Sequence, residues 1–177
     1  MATYKISSYT VSPTEEFFFD TNVWFFLFAP IAGSEQIKQE IYSKLFREIL
    51  SRNATIWINA QVIAEYINRY LRIEFDQWRE RTKNYGANYK NDFRTTSDYS
   101  AALDSARTQI SAILQKSERI PDDFNAINID SIIASMGAKF DYGDAIFIDL
   151  CNRKKFKLVT DDSDMTKEAF SFSVITA

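Results

Sequence analysis

The sequence predicts an α/β protein built around a central, mostly parallel sheet. Hydrophobic residues make up 46% and aromatic residues 15% of 177 residues, enough for the packed core of one domain. Only four Gly and three Pro are present, which disfavours a sandwich or barrel with many turns. Strand-like runs alternate with helical patterns along the chain, as in successive βα units.

The first predicted strand covers residues 16–20 and ends in Asp20. Three consecutive Phe residues precede Asp20 without a charge, which is typical of a buried strand. Thr21 or Asn22 can start the next helix, so Asp20 would lie at the sheet edge where ligands usually bind. The alternative is that Asp20 only caps that helix. We expect residues 1–15 to form a loose or edge-strand start, and the helical run after Asp20 to end at Pro30 and the Gly33-Ser34 break.

Two further elements repeat this βα step. Apolar residues recur at helical spacing from Glu35 to Ser51 and predict an amphipathic helix. A short β-branched run, 54–58, then predicts a strand, and Asn59 is a good N-cap for the helix after it. Glu65 falls in the second turn of that helix, near its positive end and the sheet edge.

The middle of the chain is the least core-like part. Residues 76–100 are predicted to form an exposed loop or lid between two helices. Ser97 or Asp98 can cap a helix that runs to about Ser117, and a short helix is expected between Ile127 and Met136.

The last third is predicted to complete the sheet. Tyr142-Gly143-Asp144 opens an apolar helix, with Asp141 as its expected cap. The elements expected after it are a strand over 157–160, an acidic turn over 161–164, a helix over 165–170 and a last strand over 172–176. Asp164 is assigned a supporting or capping role.

Composition excludes several kinds of chemistry. The chain has no His and one Cys, which removes Ser-His triads, Cys-His nucleophiles, His-ligated zinc and an intramolecular disulfide. The net charge of −3 argues against a uniformly basic surface. We expect no secretory signal and no membrane span, and therefore a cytoplasmic protein.

Four acids share one kind of position: Asp20, Glu65, Asp144 and Asp162 each lie at a strand end or in the first turns of a helix. In a parallel sheet such positions converge on one edge. Gathered carboxylates repel one another unless a cation neutralises them, and Mg²⁺ or Mn²⁺ prefers oxygen ligands. Such a metal activates water and stabilises phosphate charge, so the sequence permits phosphodiester hydrolysis without His.

The segments around these acids resemble, in chain order, those of PIN domains: Phe19-Asp20-Thr21-Asn22-Val23, Gln61-Val62-Ile63-Ala64-Glu65-Tyr66, Asp144-Ala145-Ile146-Phe147-Ile148 and 158–165. VapC-type toxins of toxin–antitoxin modules are the commonest small members. The resemblance implies a PIN-like three-layer α/β/α fold over 1–177, with 76–125 as a helical and loop elaboration.

That resemblance also implies a Mg²⁺-dependent endoribonuclease acting on single-stranded RNA. In it, the three core acids match Asp20, Glu65 and Asp144, and Asp162 matches the fourth. Thr21, Asn22 and Thr160 match the polar residues that accompany them. The chain departs from the family at Asp161, where a basic or neutral residue often stands. An inhibitory antitoxin and a homodimer are further expectations from the family alone.

Basic residues interleave with aromatics after Glu65 and are candidates for RNA contacts: Arg69, Arg72, Arg79, Arg81 and Lys83. Acidic residues dilute this group, so an ordinary solvated helix and loop is an open alternative. The aromatics would equally suit an antitoxin or dimer interface.

Two rival functions stay open at this point. One is a PIN-like scaffold that binds RNA or protein without catalysis. The other is an aspartyl-phosphate phosphohydrolase; haloacid-dehalogenase-like enzymes usually carry a second Asp two residues after the nucleophile, and here that position is Asn22.

Overall fold

The computed structural model describes residues 2–30 and 35–177. Its strands are β1 (Thr3–Lys5), β2 (Glu16–Phe19), β3 (Thr55–Ile58), β4 (Glu118–Arg119), β5 (Lys157–Val159) and β6 (Val174–Thr176). They form one six-stranded sheet in the order β1-β6-β5-β2-β3-β4. Every pair of neighbouring strands is parallel. The predicted α/β class with a central parallel sheet is confirmed, whereas the expected break at Gly33-Ser34 lies outside the described residues.

Helices follow most of the strands. They are α1 (Thr21–Phe28), α2 (Gln36–Ser51), α3 (Ala60–Thr82), α4 (Ser97–Leu114), α5 (Ile129–Ser135), α6 (Tyr142–Lys154) and α7 (Ser163–Lys167). Short 3₁₀ turns cover Ile6–Ser8, Phe93–Thr95 and Phe124–Ala126. None of the helices in the described part of the chain combines the length and apolar character needed to cross a membrane.

Strand β2 is the centre of the core, because it lies between β5 and β3 and its three Phe side chains are fully buried. Successive side chains of a strand point to opposite faces of the sheet. Phe18 packs on Phe147 of α6, at 5.2 Å between ring centroids, and Phe19 packs on Trp24 of α1, at 5.1 Å. Helices therefore cover both faces of the sheet at β2, which explains the unbroken apolar run before Asp20.

The middle region differs from the prediction. Residues 76–82 continue α3 and residues 97–100 belong to α4, so the expectation of an exposed loop over 76–100 is wrong for both stretches. Phe75, Trp78 and Phe93 are buried together in a second apolar cluster. A loop remains between Lys83, which ends α3 in the left-handed conformation, and the start of α4. The far end of α3 and the segment around Phe93 thus form a small apolar core separate from that of the sheet.

Smaller differences concern element ends. Thr96, not Ser97 or Asp98, is the N-cap of α4, since its Oγ1 accepts a hydrogen bond of 3.1 Å from the Tyr99 amide. Helix α4 stops at Leu114, and the two-residue edge strand β4 after it was not predicted. Helix α7 begins at Ser163, two residues before the expected start. Local capping contacts set where these helices begin and end, and hydrophobic periodicity does not predict those contacts.

Candidate active site

Acidic side chains meet in a cavity at the carboxyl end of β2. The cavity, called the acidic cavity below, has a volume of about 520 Å³. Its wall comes from the residue after β2, from one face of α3 and from the first turns of α6: Asp20, Gln61, Ala64, Glu65, Asn68, Arg69, Arg72, Asp141, Gly143, Asp144 and Phe147. The carboxyl ends of parallel strands are where α/β proteins bind ligands, so this is the candidate active site.

Asp20 is the most buried acid of the cavity, with 8% of its surface exposed. It occupies the N-cap position of α1, but its side chain makes no capping hydrogen bond. Its Oδ2 instead accepts hydrogen bonds from Thr160 Oγ1 at 2.6 Å and from Asn22 Nδ2 at 2.8 Å. These two polar neighbours hold the side chain, and the Thr21 amide at the start of α1 lowers its pKa, so Asp20 is not only a helix cap.

Thr160 links two of the predicted acids. It is fully buried directly after β5, beside β2 in the sheet. Its hydroxyl donates to Asp20 and accepts from the Asp162 amide at 3.0 Å. Asn22 makes a second link, because its Oδ1 accepts from the Asp161 amide at 3.3 Å. The chain segments after β2 and β5 are thus connected through side chains that the sequence placed in supporting roles.

Burial raises the pKa of Asp20 from 3.8 to about 6. The Thr160 hydrogen bond lowers that pKa, and the negative charges of Glu65 and Asp162 raise it. Near neutral pH the Asp20 carboxylate is therefore mostly charged, and keeping this charge buried makes the folded state less stable. A bound cation would offset that cost.

Glu65 lies opposite Asp20 in the second turn of α3. Thr21 Oγ1, at the start of α1, donates a hydrogen bond of 2.9 Å to Glu65 Oε2. Burial raises the pKa of Glu65, the Thr21 hydrogen bond lowers it, and the charge of Asp141 raises it again. Thr21 thus fixes Glu65 much as Thr160 fixes Asp20.

Asp144 shares a capping box with Asp141 at the start of α6. The Asp141 amide donates to Asp144 Oδ2, and the Asp144 amide donates to Asp141 Oδ1, both at 3.0 Å. Asp141 is therefore the cap of α6, as its position suggested. Burial raises the pKa of Asp144 to about 6. One carboxylate oxygen of Asp144 accepts a backbone hydrogen bond at the start of α6, whereas the bound oxygen of Asp20 accepts from side chains.

Asp162 lies next to the acidic cavity and is not part of its wall. It is the N-cap of α7, and its Oδ1 accepts from the amides of Asp164 at 2.7 Å and Met165 at 3.4 Å. Asp164 supports it through the backbone. Asp161 is turned towards α2, where its carboxylate pairs with Lys38 and with the Tyr42 hydroxyl. Asp20, Glu65 and Asp144 thus line one cavity, and Asp162 lies outside its wall.

Oxygen donors of the acidic cavity suit Mg²⁺ or Mn²⁺. Across residues 2–30 and 35–177, however, no three Asp, Glu or Cys side chains lie close enough together to hold a metal ion. Mg²⁺ usually keeps several waters and needs only one or two protein carboxylates. The residues therefore fit a hydrated cation bound by Asp20 and one neighbour better than they fit a closed cage of four carboxylates.

The five basic candidates divide into two groups. Arg69 and Arg72 line the acidic cavity, and each guanidinium stacks on an aromatic ring, Phe25 at 4.7 Å and Tyr89 at 4.1 Å from the centroid. The other three lie further along α3 or at its end and outside the cavity wall. There Arg79 pairs with Asp76, Arg81 pairs with Asp98, and Lys83 is the C-cap.

Several wall residues were not predicted. Gln61 and Asn68 lie on the same face of α3 as Glu65 and Arg72, at intervals of four, three and four residues. That helical spacing of polar residues was visible in the sequence and would have found them. Gly143 also belongs to the wall, where a Cβ would come within 3.0 Å of Gln61 Nε2. A larger residue there would have to displace the Gln61 amide and the Asp141 carboxylate, which a Cβ would approach to 3.0 and 3.2 Å.

Comparisons with known proteins agree with this architecture. No curated protein matches the chain. The solved structure of VapBC2 from Rickettsia felis, bound to a DNA fragment from their promoter, is similar in fold, with a TM-score of 0.52 at 13% identity, covering 92% of this chain and 98% of that one. The model of the PIN domain family matches residues 17–170, which span the strand before Asp20 to the residues after α7. The chain therefore belongs to the PIN domain family.

Proposed function

We propose that this protein is a metal-dependent endoribonuclease that hydrolyses phosphodiester bonds of single-stranded RNA. The observation that carries the proposal is Asp20, a buried carboxylate held by Thr160 and Asn22 in a cavity that it shares with Glu65 and Asp144. Within residues 2–30 and 35–177 no Lys or Arg forms an ion pair with Asp20, and a buried, mostly charged carboxylate without such a pair is costly for stability. Such groups are typical of functional sites.

Mg²⁺ or Mn²⁺ is the proposed cofactor, with Asp20, Glu65 and Asp144 as direct or water-mediated ligands. When bound, the metal supplies an activated water and neutralises phosphate charge. Thr160 and Asn22 orient Asp20, and Thr21 orients Glu65. Asp162 acts on the ligands through Thr160 and through its charge, and Asp164 holds Asp162.

Arg69 and Arg72 are proposed to hold RNA phosphates at the cavity. Both guanidinium groups are kept in place by aromatic rings, which lowers the entropy lost on binding. Arg79 and Arg81 already pair with carboxylates on the helix surface, so their contribution to RNA binding would be smaller.

We further propose that the protein is the toxin of a toxin–antitoxin pair. The support is family membership together with the fold shared with VapBC2, a protein described with its promoter DNA. A cognate antitoxin, a homodimer and a cytoplasmic location belong to the same proposal. So does the extent of the domain, residues 1–177 with an elaborated middle region over 76–125.

One observation favours a second candidate, a PIN-like scaffold without catalysis. Among the residues that the structure describes, the acids do not form a three-carboxylate metal group, and Asp144 and Asp162 serve helix ends. A scaffold would bind RNA or protein and leave RNA intact.

RNA cleavage by the purified protein separates the two candidates. We expect single-stranded RNA to be cut in Mg²⁺ or Mn²⁺ and to stay intact in EDTA. Asp20→Asn and Asp144→Asn should each reduce cleavage by about 10³-fold or more. Asp104→Asn is the matched control, since Asp104 is an exposed acid of α4 paired with Arg107. Undiminished cleavage by both cavity variants would rule out the nuclease assignment.

A further inference from the structure

A second cavity adjoins the acidic cavity. It has a volume of about 400 Å³, and its wall is mostly apolar: Ala60, Gln61, Asp122, Phe124, Ile127, Tyr142 and Ile146. We call it the aromatic cavity. Its size is within the range of protein pockets for small ligands.

The two cavities share the same structural elements. Gln61, in the first turn of α3, belongs to both walls. Tyr142 of the aromatic cavity stands between Asp141 and Gly143, which line the acidic cavity. A molecule held at the acids therefore has the aromatic cavity beside it, since Gln61 forms part of both walls.

Two aromatic rings of this cavity are open to solvent. Phe124 is 65% exposed and Tyr142 is 39% exposed. Among residues 2–30 and 35–177, neither ring stacks on another aromatic side chain. Most other aromatic rings of the described residues are buried or packed on a neighbour. Exposed rings at the rim of a cavity are suited to stacking on a ligand.

The charged residues in the wall of the aromatic cavity indicate which kind of ligand it can bind. No Lys or Arg lines it, and its one ionisable carboxylate is Asp122. An anionic group such as phosphate is therefore disfavoured, whereas a neutral flat ring is not. Asp122 and Gln61 place hydrogen-bond acceptors at the wall, which suit the N–H groups on the edge of a nucleobase.

From this geometry we infer that the aromatic cavity is a nucleobase subsite. It binds the base next to the phosphate held in the acidic cavity, stacked on Phe124 and Tyr142. The inference rests on the proposed action on single-stranded RNA, in which the bases beside a phosphate are unpaired and free to stack. The subsite would contribute to the choice of cut site.

The test measures RNA binding in a background that does not depend on cleavage. The protein carries Asp20→Asn, and the probe is a fluorescent single-stranded RNA oligonucleotide with 5-iodouridine at several positions, in Mg²⁺. Phe124→Ala and Tyr142→Ala should each weaken binding about ten-fold, as loss of one stacked base does. Phe124→Trp should keep the affinity. Light should crosslink the iodinated base to peptides that contain Phe124 or Tyr142.

Tyr4→Ala is the matched control, because Tyr4 is also 39% exposed and lies on the edge strand β1, three strands from β2. Its affinity for the RNA should not change. Equal affinities of the Phe124 and Tyr142 variants and the parent would overturn the subsite. So would crosslinks confined to other peptides, or a dimer that dissociates in Phe124→Ala while RNA affinity stays the same.

Failure of the subsite and failure of the nuclease proposal give different results. If the wild-type protein does not cut RNA but the iodinated base still crosslinks at Phe124, the subsite stands and the nuclease proposal falls. If the wild-type protein cuts RNA and Phe124→Ala changes neither affinity nor cut-site choice, the nuclease stands and the subsite falls.

Discussion

Two groups of acids at the acidic cavity are held in different ways: Asp20, after β2, forms the strand side, and Asp144 with the adjoining Asp162, at the starts of α6 and α7, forms the helix side. On the strand side, Asp20 is buried and bound by two side chains, and its side chain makes no capping hydrogen bond to α1. On the helix side, Asp144 and Asp162 are less buried and accept backbone amides at the starts of α6 and α7. Asp144 and Asp162 therefore stabilise helix ends through hydrogen bonds, whereas burial of the charged Asp20 costs folding free energy.

This difference indicates where function is concentrated. A capping acid lowers the free energy of the folded state, while a buried charged acid raises it. Replacing acids on the two sides should then change stability in opposite directions. The following variants test that contrast, from the largest expected effect to the smallest.

Asp20→Asn should stabilise the metal-free protein at about pH 7.5. The folded-state pKa of about 6 exceeds the ordinary value of 3.8, so the charged form opposes folding. That penalty is absent below about pH 4, grows as the pH rises, and reaches about 3 kcal/mol above the folded-state pKa. Urea unfolding in EDTA should show the variant more stable at about pH 7.5 and equal to wild type at about pH 4. A variant less stable at the higher pH would contradict the account.

Thr160→Val should disturb the strand side without removing an acid. The substitution keeps the shape of the side chain but takes one donor from Asp20 and the acceptor from the Asp162 amide. Loss of such a supporting contact typically costs about 10- to 100-fold in metal affinity or activity. Cleavage rates across a Mn²⁺ titration measure both quantities. Thr166→Val, on α7, is the control, and equal losses in the two variants would argue against a special role for Thr160.

Asp162→Ala should show the smallest change, a loss of about 1 kcal/mol in the free energy of unfolding, because α7 loses its N-cap. Asp162→Asn should be nearly neutral, since Asn caps helices as well as Asp does. Urea unfolding of both variants measures the difference. If Asp162→Asn instead lost as much stability as Asp162→Ala, the charge of Asp162 and not its capping bonds would matter for the fold.

Much of the fold was predictable because hydrophobic periodicity reports burial directly. The run before Asp20 is apolar on both faces, and β2 is indeed covered by helices on both faces of the sheet. The continuation of α3 was also visible, in apolar residues at 71, 75 and 78, but the surrounding charges masked it. Strand β4 carries no such signal, since its two residues are exposed and pair only at the sheet edge.

The site was predictable to a different degree. Position after a strand end was enough to nominate Asp20, and spacing along α3 placed Glu65 on the same edge. Whether an acid faces the cavity or a helix end depends on side-chain contacts that form only in the folded chain. The capping box of Asp144 and the cap made by Asp162 are such contacts. The aromatic cavity likewise joins residues from α3, α6 and the segment 122–127, far apart in sequence.

A crystal structure with Mn²⁺ soaked in tests the central claim most directly. We predict an anomalous peak in the acidic cavity, with Asp20 within bonding distance of the ion and Glu65 or Asp144 turned towards it, directly or through a water. Thr160 should keep its hydrogen bond to Asp20. A cavity with no anomalous peak at saturating Mn²⁺, in which Asp144 stays in its capping box, would contradict the account and favour the scaffold.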